Sequence, residues 1–324
     1  MSAPALEVVE PGFLSTVQDL GRRGYFAAGI PPSGAFDRFA LRVGNLLVGN
    51  PPGEAGIEMT LMGGRFRVLR DTVIAVTGAD MDATLDGAPV PRWEAAAART
   101  GSELGFGVAQ AGCRTYLCLA GGVDVPSVLG SKSTYLIGKI GGVRGRPLRG
   151  GDRLDAPPGA RATPGRRLTP SLIPSYGPAV ELRVILGPQE DHVTEESVRT
   201  FLTAPYKVSS KADRVGYRFE GPEFRFRERA KAVEAGSDPS NIVDDGNAIG
   251  AMQIPGGKET ICMGPDGVSM GGYVKIACLI AADMDRMAQA RTWDTVHFRA
   301  VTHAEATAAL RDALARAGGA NLIG

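Results

Sequence analysis

Glycine and proline interrupt this chain so often that long regular helices have little room to form: 44 glycines and 22 prolines are spread over 324 residues. Glycine weakens a helix interior and proline lacks the N–H that a helix needs, so a mainly helical fold is disfavoured. Between the interruptions lie short apolar or alternating runs, at residues 6–9, 72–77, 82–85, 102–106, 114–119, 182–186, 249–254, 260–263 and 273–276. Runs of this length bounded by Gly, Asp or Pro read as strands joined by tight turns, and Asp86-Gly87 marks one such turn. The expectation is a mainly β protein with a few helices. Asp37 precedes Phe39, Ala40, Val43, Leu46 and Leu47, one apolar stripe that stops at Gly49-Asn50-Pro51. Residues 194–201 and 281–290 are shorter helix candidates, and Thr302-His303-Ala304-Glu305 is a capping-box pattern opening an Ala-rich helix.

The length favours two domains. Residues 156–180 hold six prolines and three glycines together with Arg161, Arg166 and Arg167, which suits a crossing between domains and places them at residues 1–165 and 166–324. A hydrophobic fraction of 44% with 22% charged residues excludes a disordered chain, and a net charge of +1 gives no global reason to expect nucleic acid or an anionic membrane. No stretch free of Asp, Glu, Lys and Arg exceeds 13 residues, short of the roughly 20 a spanning helix needs. The first eleven residues have no apolar core, so no signal peptide is expected. Cys113, Cys118, Cys262 and Cys278 form no CxxC pair, and three lie in apolar, strand-like surroundings. They are expected as buried free thiols in a cytoplasmic protein. Three scattered histidines make a metal site improbable.

Walker, GxSxG, HExxH and GxGxxG patterns are absent, as is a Met-Lys-Met biotin-attachment sequence. The chemistry left is that of carboxylates, guanidinium groups, amides and backbone N–H donors. Four segments concentrate them. The first runs from Thr16-Val17-Gln18-Asp19-Leu20-Gly21-Arg22 to Ser33-Gly34-Ala35-Phe36-Asp37, where glycines fix an irregular backbone that presents side chains; a capped turn before a helix is the alternative. The second holds Gly121-Gly122, then Lys132 among Ser131, Ser133 and Thr134, then Arg144, a set suited to an anion, with a bulge, a turn and solvated arginines as the alternative. The third pairs Gln189, in Gly187-Pro188-Gln189, with Asp213-Arg214, adjacent charges that a surface ion pair would also explain. The fourth runs from Gln253 through Asp266 to Ser269-Met270-Gly271-Gly272-Tyr273, a carboxylate, a hydroxyl, a Gly pair and an aromatic able to polarise a small amide. Asp283, Arg286 and Gln289 follow at helical spacing, either as part of that site or as a solvated face.

Taken in this order, the segments resemble the allophanate hydrolase subunit 2 family, also called biotin-dependent carboxyltransferase-like or KipA, which includes the C-type component of 5-oxoprolinase. Residues 16–37 are similar to its TVQDLGRxGYxxxGxPxSGAxD signature, residues 114–134 to RTYLxxAGGxDVPxVLGSxST, and residues 271–289 to GGYxKIAxxxxADxxRxAQ. Where the family commonly carries D-R-Q-T-T-G-G-Y, this chain reads Asp266-Gly267-Val268-Ser269-Met270-Gly271-Gly272-Tyr273, a departure at the expected substrate wall. The resemblance implies two cyclophilin-like β-barrel domains and a KipI/subunit-B-like small partner. It implies an ATP-dependent hydrolase component of the 5-oxoprolinase type, inactive alone, that activates the lactam of pyroglutamate and is completed by a LamB/YcsF-like third component. In another branch the same region moves a carboxyl group from carboxybiotin to urea, and in a third a member antagonises a KipI-like kinase inhibitor. For an amide substrate, Asp266 is the expected proton acceptor and Asp37 the next choice. Arg22, Arg214 and the N–H groups of Gly121-Gly122 or Gly271-Gly272 are expected to stabilise an oxyanion. Gln18, Ser33, Gln189, Gln253 and Tyr273 are expected against the substrate.

Overall fold

The computed structural model describes residues 2–158, 162–228 and 235–324, so Arg161 of the proline-rich segment lies outside the described residues. The chain divides into two compact units. Unit 1 comprises Met1–Arg23, Ser33–Tyr176 and Ala313–Gly324, and unit 2 comprises Gly24–Pro32 and Gly177–Asp312.

Unit 1 contains β1 (Ala3–Glu10), β2 (Leu14–Gln18), α1 (Arg38–Leu47), β3 (Gly56–Thr60), β4 (Arg65–Val68), β5 (Thr72–Asp80), β6 (Thr84–Leu85), β7 (Ala88–Pro89), β8 (Ala95–Ala98), β9 (Glu103–Gly105), β10 (Ala111–Leu119), β11 (Arg153–Ala156) and β12 (Arg167–Leu168). They form a six-stranded sheet, β11-β1-β4-β9-β6-β7, and a five-stranded sheet, β2-β3-β10-β5-β8. Leu6, Val8, Phe66, Val68 and Leu104 of the first meet Val17, Ile57, Met59, Ile74, Leu117 and Leu119 of the second in one buried cluster. Each such side chain contributes about 1.5–3 kcal/mol on burial. The outer face of the five-stranded sheet is covered by α1, whose Phe39, Ala40, Leu41, Val43 and Leu47 pack with Ala75, Trp93, Tyr116 and Cys118. Both faces of β3 and β10 are therefore covered, and almost every residue in them is buried. Asp37 caps α1 by accepting from the Ala40 N–H at 2.8 Å. Asp86 and Gly87, at φ 53° and 80°, make the left-handed turn joining β6 to β7. Leu322 and Ile323 pair with β12, which holds the end of the chain in this unit.

Unit 2 contains β13 (Ala179–Leu186), α2 (Glu195–Thr203), β14 (Tyr206–Val208), β15 (Gly216–Glu220), β16 (Asn241–Gly246), β17 (Ala251–Gln253), β18 (Glu259–Met263), β19 (Met270–Tyr273), β20 (Lys275–Leu279), α3 (Met284–Gln289) and β21 (Thr295–Ala300). Seven strands close a barrel in the order β13-β20-β17-β18-β15-β14-β21, and the parallel pairing of β13 with β21 completes it. Phe298 stacks on Phe201 at 4.8 Å and meets Tyr206 and Phe219 edge-on at 5.3 Å each. Thr194 caps α2, and Thr302 with Glu305 forms the capping box of α4 (His303–Arg316). β16 and β19 pair only with each other, as a two-stranded ribbon apart from the barrel sheet. The protein is mainly β, and the closed seven-stranded barrel is its most regular element. No described helix is long and apolar enough to cross a membrane.

Candidate functional site

In unit 1 the first and second sequence segments meet at Asp19. Its Oδ1 accepts from the Gly21 N–H and the Ser131 hydroxyl, both at 2.7 Å, and from the Ser133 hydroxyl. Its Oδ2 accepts from the Lys132 N–H at 2.6 Å, and its carbonyl from the Ala35 N–H at 2.8 Å. Gln18 is buried and donates to Thr16 Oγ1 at 3.0 Å and to the Thr134 carbonyl at 3.1 Å. Arg22, also buried, donates to the Ser133 carbonyl. Ser33 is fully buried at φ 54°. The next residue, Gly34, runs so close to Gly21 that a Cβ there would lie 2.7 Å from its nitrogen. Unit 1 thus brings Gln18, Arg22 and Ser33 onto one knot of loops. Asp19, which ties the knot, was missed; a carboxylate between strand and glycine was the available signal.

Asp37 belongs to a different, fully buried network. Its N–H donates to the Tyr116 hydroxyl at 2.8 Å, and that hydroxyl donates to Glu58 Oε2 at 2.6 Å, which also accepts from the Phe36 N–H at 2.9 Å. Burial first, then the charges of Glu58 and Asp37, push the Tyr116 phenol well above its ordinary value. Asp37 is a buried helix cap, with its backbone N–H on Tyr116. Gly121, Gly122 and Lys132 of the expected anion-binding set have partners within the fold. The Gly121 N–H donates to Asn50 Oδ1 and the Gly122 N–H to the Leu119 carbonyl, each at 2.8 Å. Lys132 Nζ lies 2.8 Å from Glu54 and 3.9 Å from Asp124, and Arg144 is exposed on a separate turn.

In unit 2, Arg214 and Asp266 form a buried bidentate pair: Nε donates to Oδ2 at 2.9 Å and Nη2 to Oδ1 at 3.2 Å. The Asp266 N–H donates to the Arg214 carbonyl and the Gly264 N–H to the Val215 carbonyl. Both carboxylate oxygens accept from Arg214, and the pair clamps the end of the β15–β18 ladder. Asp283 is likewise fully buried and held by the Arg183 backbone N–H and guanidinium, while Arg286 is exposed and Gln289 buried.

The remaining polar residues of unit 2 gather between the ribbon and the barrel. Lys275 is 1% exposed, and its ammonium lies 3.3 Å from Asp245 Oδ2, on a side chain that is 51% exposed. Gln189 locks this pair from both sides: its Nε2 donates to Asp245 Oδ2 at 3.2 Å, and its Oε1 accepts from the Lys275 N–H at 3.0 Å. Gln253 stands opposite Lys275 on the neighbouring strand and donates to Asn247 Oδ1 at 3.0 Å. Asn247 is 3% exposed, and its Nδ2 has no partner among the described residues. Gly271 packs over both amides: a Cβ there would lie 2.5 Å from Gln253 Nε2 and 2.9 Å from Asn247 Nδ2. Gly271 is also the register partner of Asp245, and strand alternation puts Tyr273, 41% exposed, on the same face of the ribbon. Gly272 faces the other way, toward Asp244. The Gly246 N–H, and then the Lys275 ammonium, hold the Asp245 carboxyl below the usual carboxylate range.

Gln189, Gln253, Gly271 and Tyr273 therefore come together with Asp245 and Asn247, whose segment 243–247 reads as unusual at the expected substrate wall, and with Lys275, which sequence reasoning missed. A signal existed for Lys275: it stands in the apolar run Val274-Lys275-Ile276-Ala277-Cys278-Leu279, where a cation needs a reason. An ammonium has three N–H donors and a side-chain amide two, so this cluster has donors to spare beneath a carboxylate at its mouth. Such an arrangement can hold an oxygen that carries or develops negative charge. Among the described residues no group of three His, Cys, Asp or Glu is placed to hold a metal.

Residues 28–300 match the family described as carboxyltransferase domain, subdomain A and B. The chain belongs to the carboxyltransferase domain family. Within it, this carboxyltransferase-type chain is 34% identical to the C-type component of Escherichia coli 5-oxoprolinase, over 95% of its own length and 94% of that protein. It is 36% identical to urea amidolyase of Saccharomyces cerevisiae over 91% of its length, but spans only 16% of that protein. Among solved structures, the K. lactis urea amidolyase superposes on the whole chain with a TM-score of 0.92 at 31% identity, using 21% of that chain. TTHA0988 follows at a TM-score of 0.79 and 33% identity, over 91% of this chain and 55% of its own. These relatives include enzymes and components of enzymes.

Proposed function

We propose that this chain is the carboxyltransferase-type component of an ATP-dependent amidohydrolase complex of the 5-oxoprolinase kind, inactive alone, which binds and polarises a lactam amide. The observation that carries the reading is the similarity to the C-type component of E. coli 5-oxoprolinase, 34% identical over 95% of this chain. The donor cluster of unit 2 supports it chemically. An amide resists attack because its nitrogen donates into the carbonyl, and fixed donors at the carbonyl oxygen oppose that donation. One such donor contributes about 3 kcal/mol in a transition state. Lys275 and Asn247 would take the oxygen, Asp245 and Gln189 would face the N–H side, and Tyr273 would flank the ring.

ATP would supply the phosphoryl group that makes the amide carbon electrophilic. The described residues of this chain do not fit a triphosphate, because the N–H groups of Gly121-Gly122 are already donated and no Walker loop is present. The nucleotide is therefore assigned to the KipI/subunit-B-like and LamB/YcsF-like partners. The whole-chain superposition on K. lactis urea amidolyase favours a second reading, in which the same donors hold an amide or urea that accepts a carboxyl group from carboxybiotin. Reconstitution separates the two. The chain with its KipI-like and LamB/YcsF-like partners should form glutamate from 5-oxoproline only when ATP is present. Transfer of labelled carboxyl from carboxybiotin to urea, without glutamate formation, would overturn the first reading.

A further inference from the structure

We infer that the turn at residues 141–146 of unit 1, with Lys139 packed against it, is an anion site that takes a phosphoryl group through Arg144, Lys139 and the N–H groups of Val143 and Arg144. The site lies apart from the donor cluster of unit 2 and does not depend on which amide that cluster receives. Residues 125–151 hold two lysines and three arginines and no acidic residue. Lys132 and Arg146 are neutralised by the fold, through Glu54 and Asp152. Lys139 and Arg144 are exposed, and neither side chain has a hydrogen-bond or ion-pair partner among the described residues.

The backbone brings these two cations together. A Cβ on Gly145 would overlap the Lys139 carbonyl group, so Arg144 leaves the chain beside Lys139. The turn is fastened: the Gly145 N–H donates to the Gly141 carbonyl at 2.7 Å, the Gly142 N–H to the Lys132 carbonyl at 2.8 Å, and Tyr135 and Ile140 exchange backbone bonds at 2.9 and 3.2 Å. Both cations nevertheless sit on left-handed backbone, at φ 53° for Lys139 and 57° for Arg144. Glycine adopts that conformation at no steric cost, and long side chains there oppose the fold. What they add is charge at a fixed place. The Val143 and Arg144 N–H groups find no acceptor among the described residues. A third cation, the buried Arg22, backs the turn, its Nη2 2.8 Å from where a Cβ on Gly141 would lie. A guanidinium fork, an ammonium and two amides offer donors in several directions. That set suits the tetrahedral oxygens of a phosphoryl dianion better than the two coplanar oxygens of a carboxylate. Free phosphate and the end of a nucleotide held by a partner component present the same oxygens.

Titration of the purified chain with inorganic phosphate, followed by nuclear magnetic resonance of the backbone amides, tests this. The Val143 and Arg144 signals should shift saturably, and acetate at equal ionic strength should leave them unmoved. Arg144→Gln should weaken phosphate about 10-fold and Lys139→Gln about threefold. Arg149→Gln, at an exposed arginine on the next turn, should leave binding unchanged. Arg144→Gly removes the cation and suits the left-handed backbone, so it should lose binding with an unfolding midpoint no lower than that of the native chain. That pairing separates lost binding from misfolding. The assembled complex reads the source: weaker ADP binding in Arg144→Gln assigns the phosphoryl group to a nucleotide on a partner, and phosphate binding with unchanged ADP affinity assigns it to the free ion. Equal shifts with acetate, phosphate binding that survives the double variant Lys139→Gln with Arg144→Gln, or no saturable shift at these amides in chain and complex would each overturn the inference. None of these readouts uses turnover, so they stand or fall apart from the proposed amidohydrolase.

Discussion

Asp266→Ala should unfold unit 2 at markedly lower denaturant, and the size of the loss follows from the burial of its partner. The Arg214 and Asp266 side chains are 6% and 5% exposed, and two charge-assisted hydrogen bonds join them. Removing the carboxylate leaves a guanidinium buried without the charge that neutralised it, which costs about 3–5 kcal/mol. For a unit of this size, each kcal/mol lowers Tm by roughly 2–4 °C, so a drop of roughly 6–20 °C is expected. Asp266→Asn keeps one acceptor and should lose about 2 kcal/mol. Replacing both partners by apolar residues, Arg214→Met with Asp266→Leu, should recover most of the loss. Urea unfolding followed by circular dichroism reads all three, with an unchanged slope required for the comparison. A catalytic carboxylate predicts the opposite pattern. If Asp266→Asn melts like the native protein but its reconstituted complex has lost turnover, the clamp is wrong and Asp266 returns to the chemistry.

Three further outcomes follow from the same structure. The bidentate pair with Arg146 lowers the Asp152 carboxyl, so this group stabilises the fold above the unfolded carboxylate value of about 4 and the contribution disappears as pH falls through its lowered folded value; Asp152→Asn should flatten the acid limb of unfolding midpoints measured between pH 5 and 2.5, by about 1 kcal/mol. Burial pushes the Cys118 thiol up to about 12, so its thiolate fraction at pH 8 is on the order of 10⁻⁴, and a disulfide reagent should titrate it only after denaturation. Tyr116→Phe removes the hydroxyl shared by Asp37 and Glu58 and should cost about 1–3 kcal/mol in urea unfolding; an unchanged midpoint would show that the buried network does not hold the fold.

Local features were legible in the sequence because their causes are local. The Asp37 cap, the α1 stripe, the Asp86-Gly87 turn and the Thr302–Glu305 capping box each depend on residues within one turn or two of each other. The same holds for the β character, since short alternating runs cut by glycine leave little else to form. Long-range pairing was not legible. Asp266 looked available among glycines until Arg214, 52 residues away, took both its oxygens. Gly121 looked like an anion cradle until Asn50, 71 residues away, accepted its N–H. Residues 243–247 stood out in the sequence, but only the register of β19 against β16 and of β20 against β17 sets Asp245 beside Lys275. Charge inside an apolar run was the overlooked signal: Glu58 between Ile57 and Met59, and Lys275 between Val274 and Ile276, each mark a buried polar network.

The claim on which the account turns is that ligand oxygens are received by Lys275 and Asn247 in unit 2. Nuclear magnetic resonance of the assembled complex, with the chain labelled at Asn side-chain amides and Lys side chains, reports on both groups as 5-oxoproline is added. The account predicts that the Asn247 Nδ2 and Lys275 Nζ signals shift together and saturate at one concentration, while Lys132 in unit 1 stays unmoved. Saturable shifts at Lys132 with Asn247 and Lys275 unchanged would contradict it.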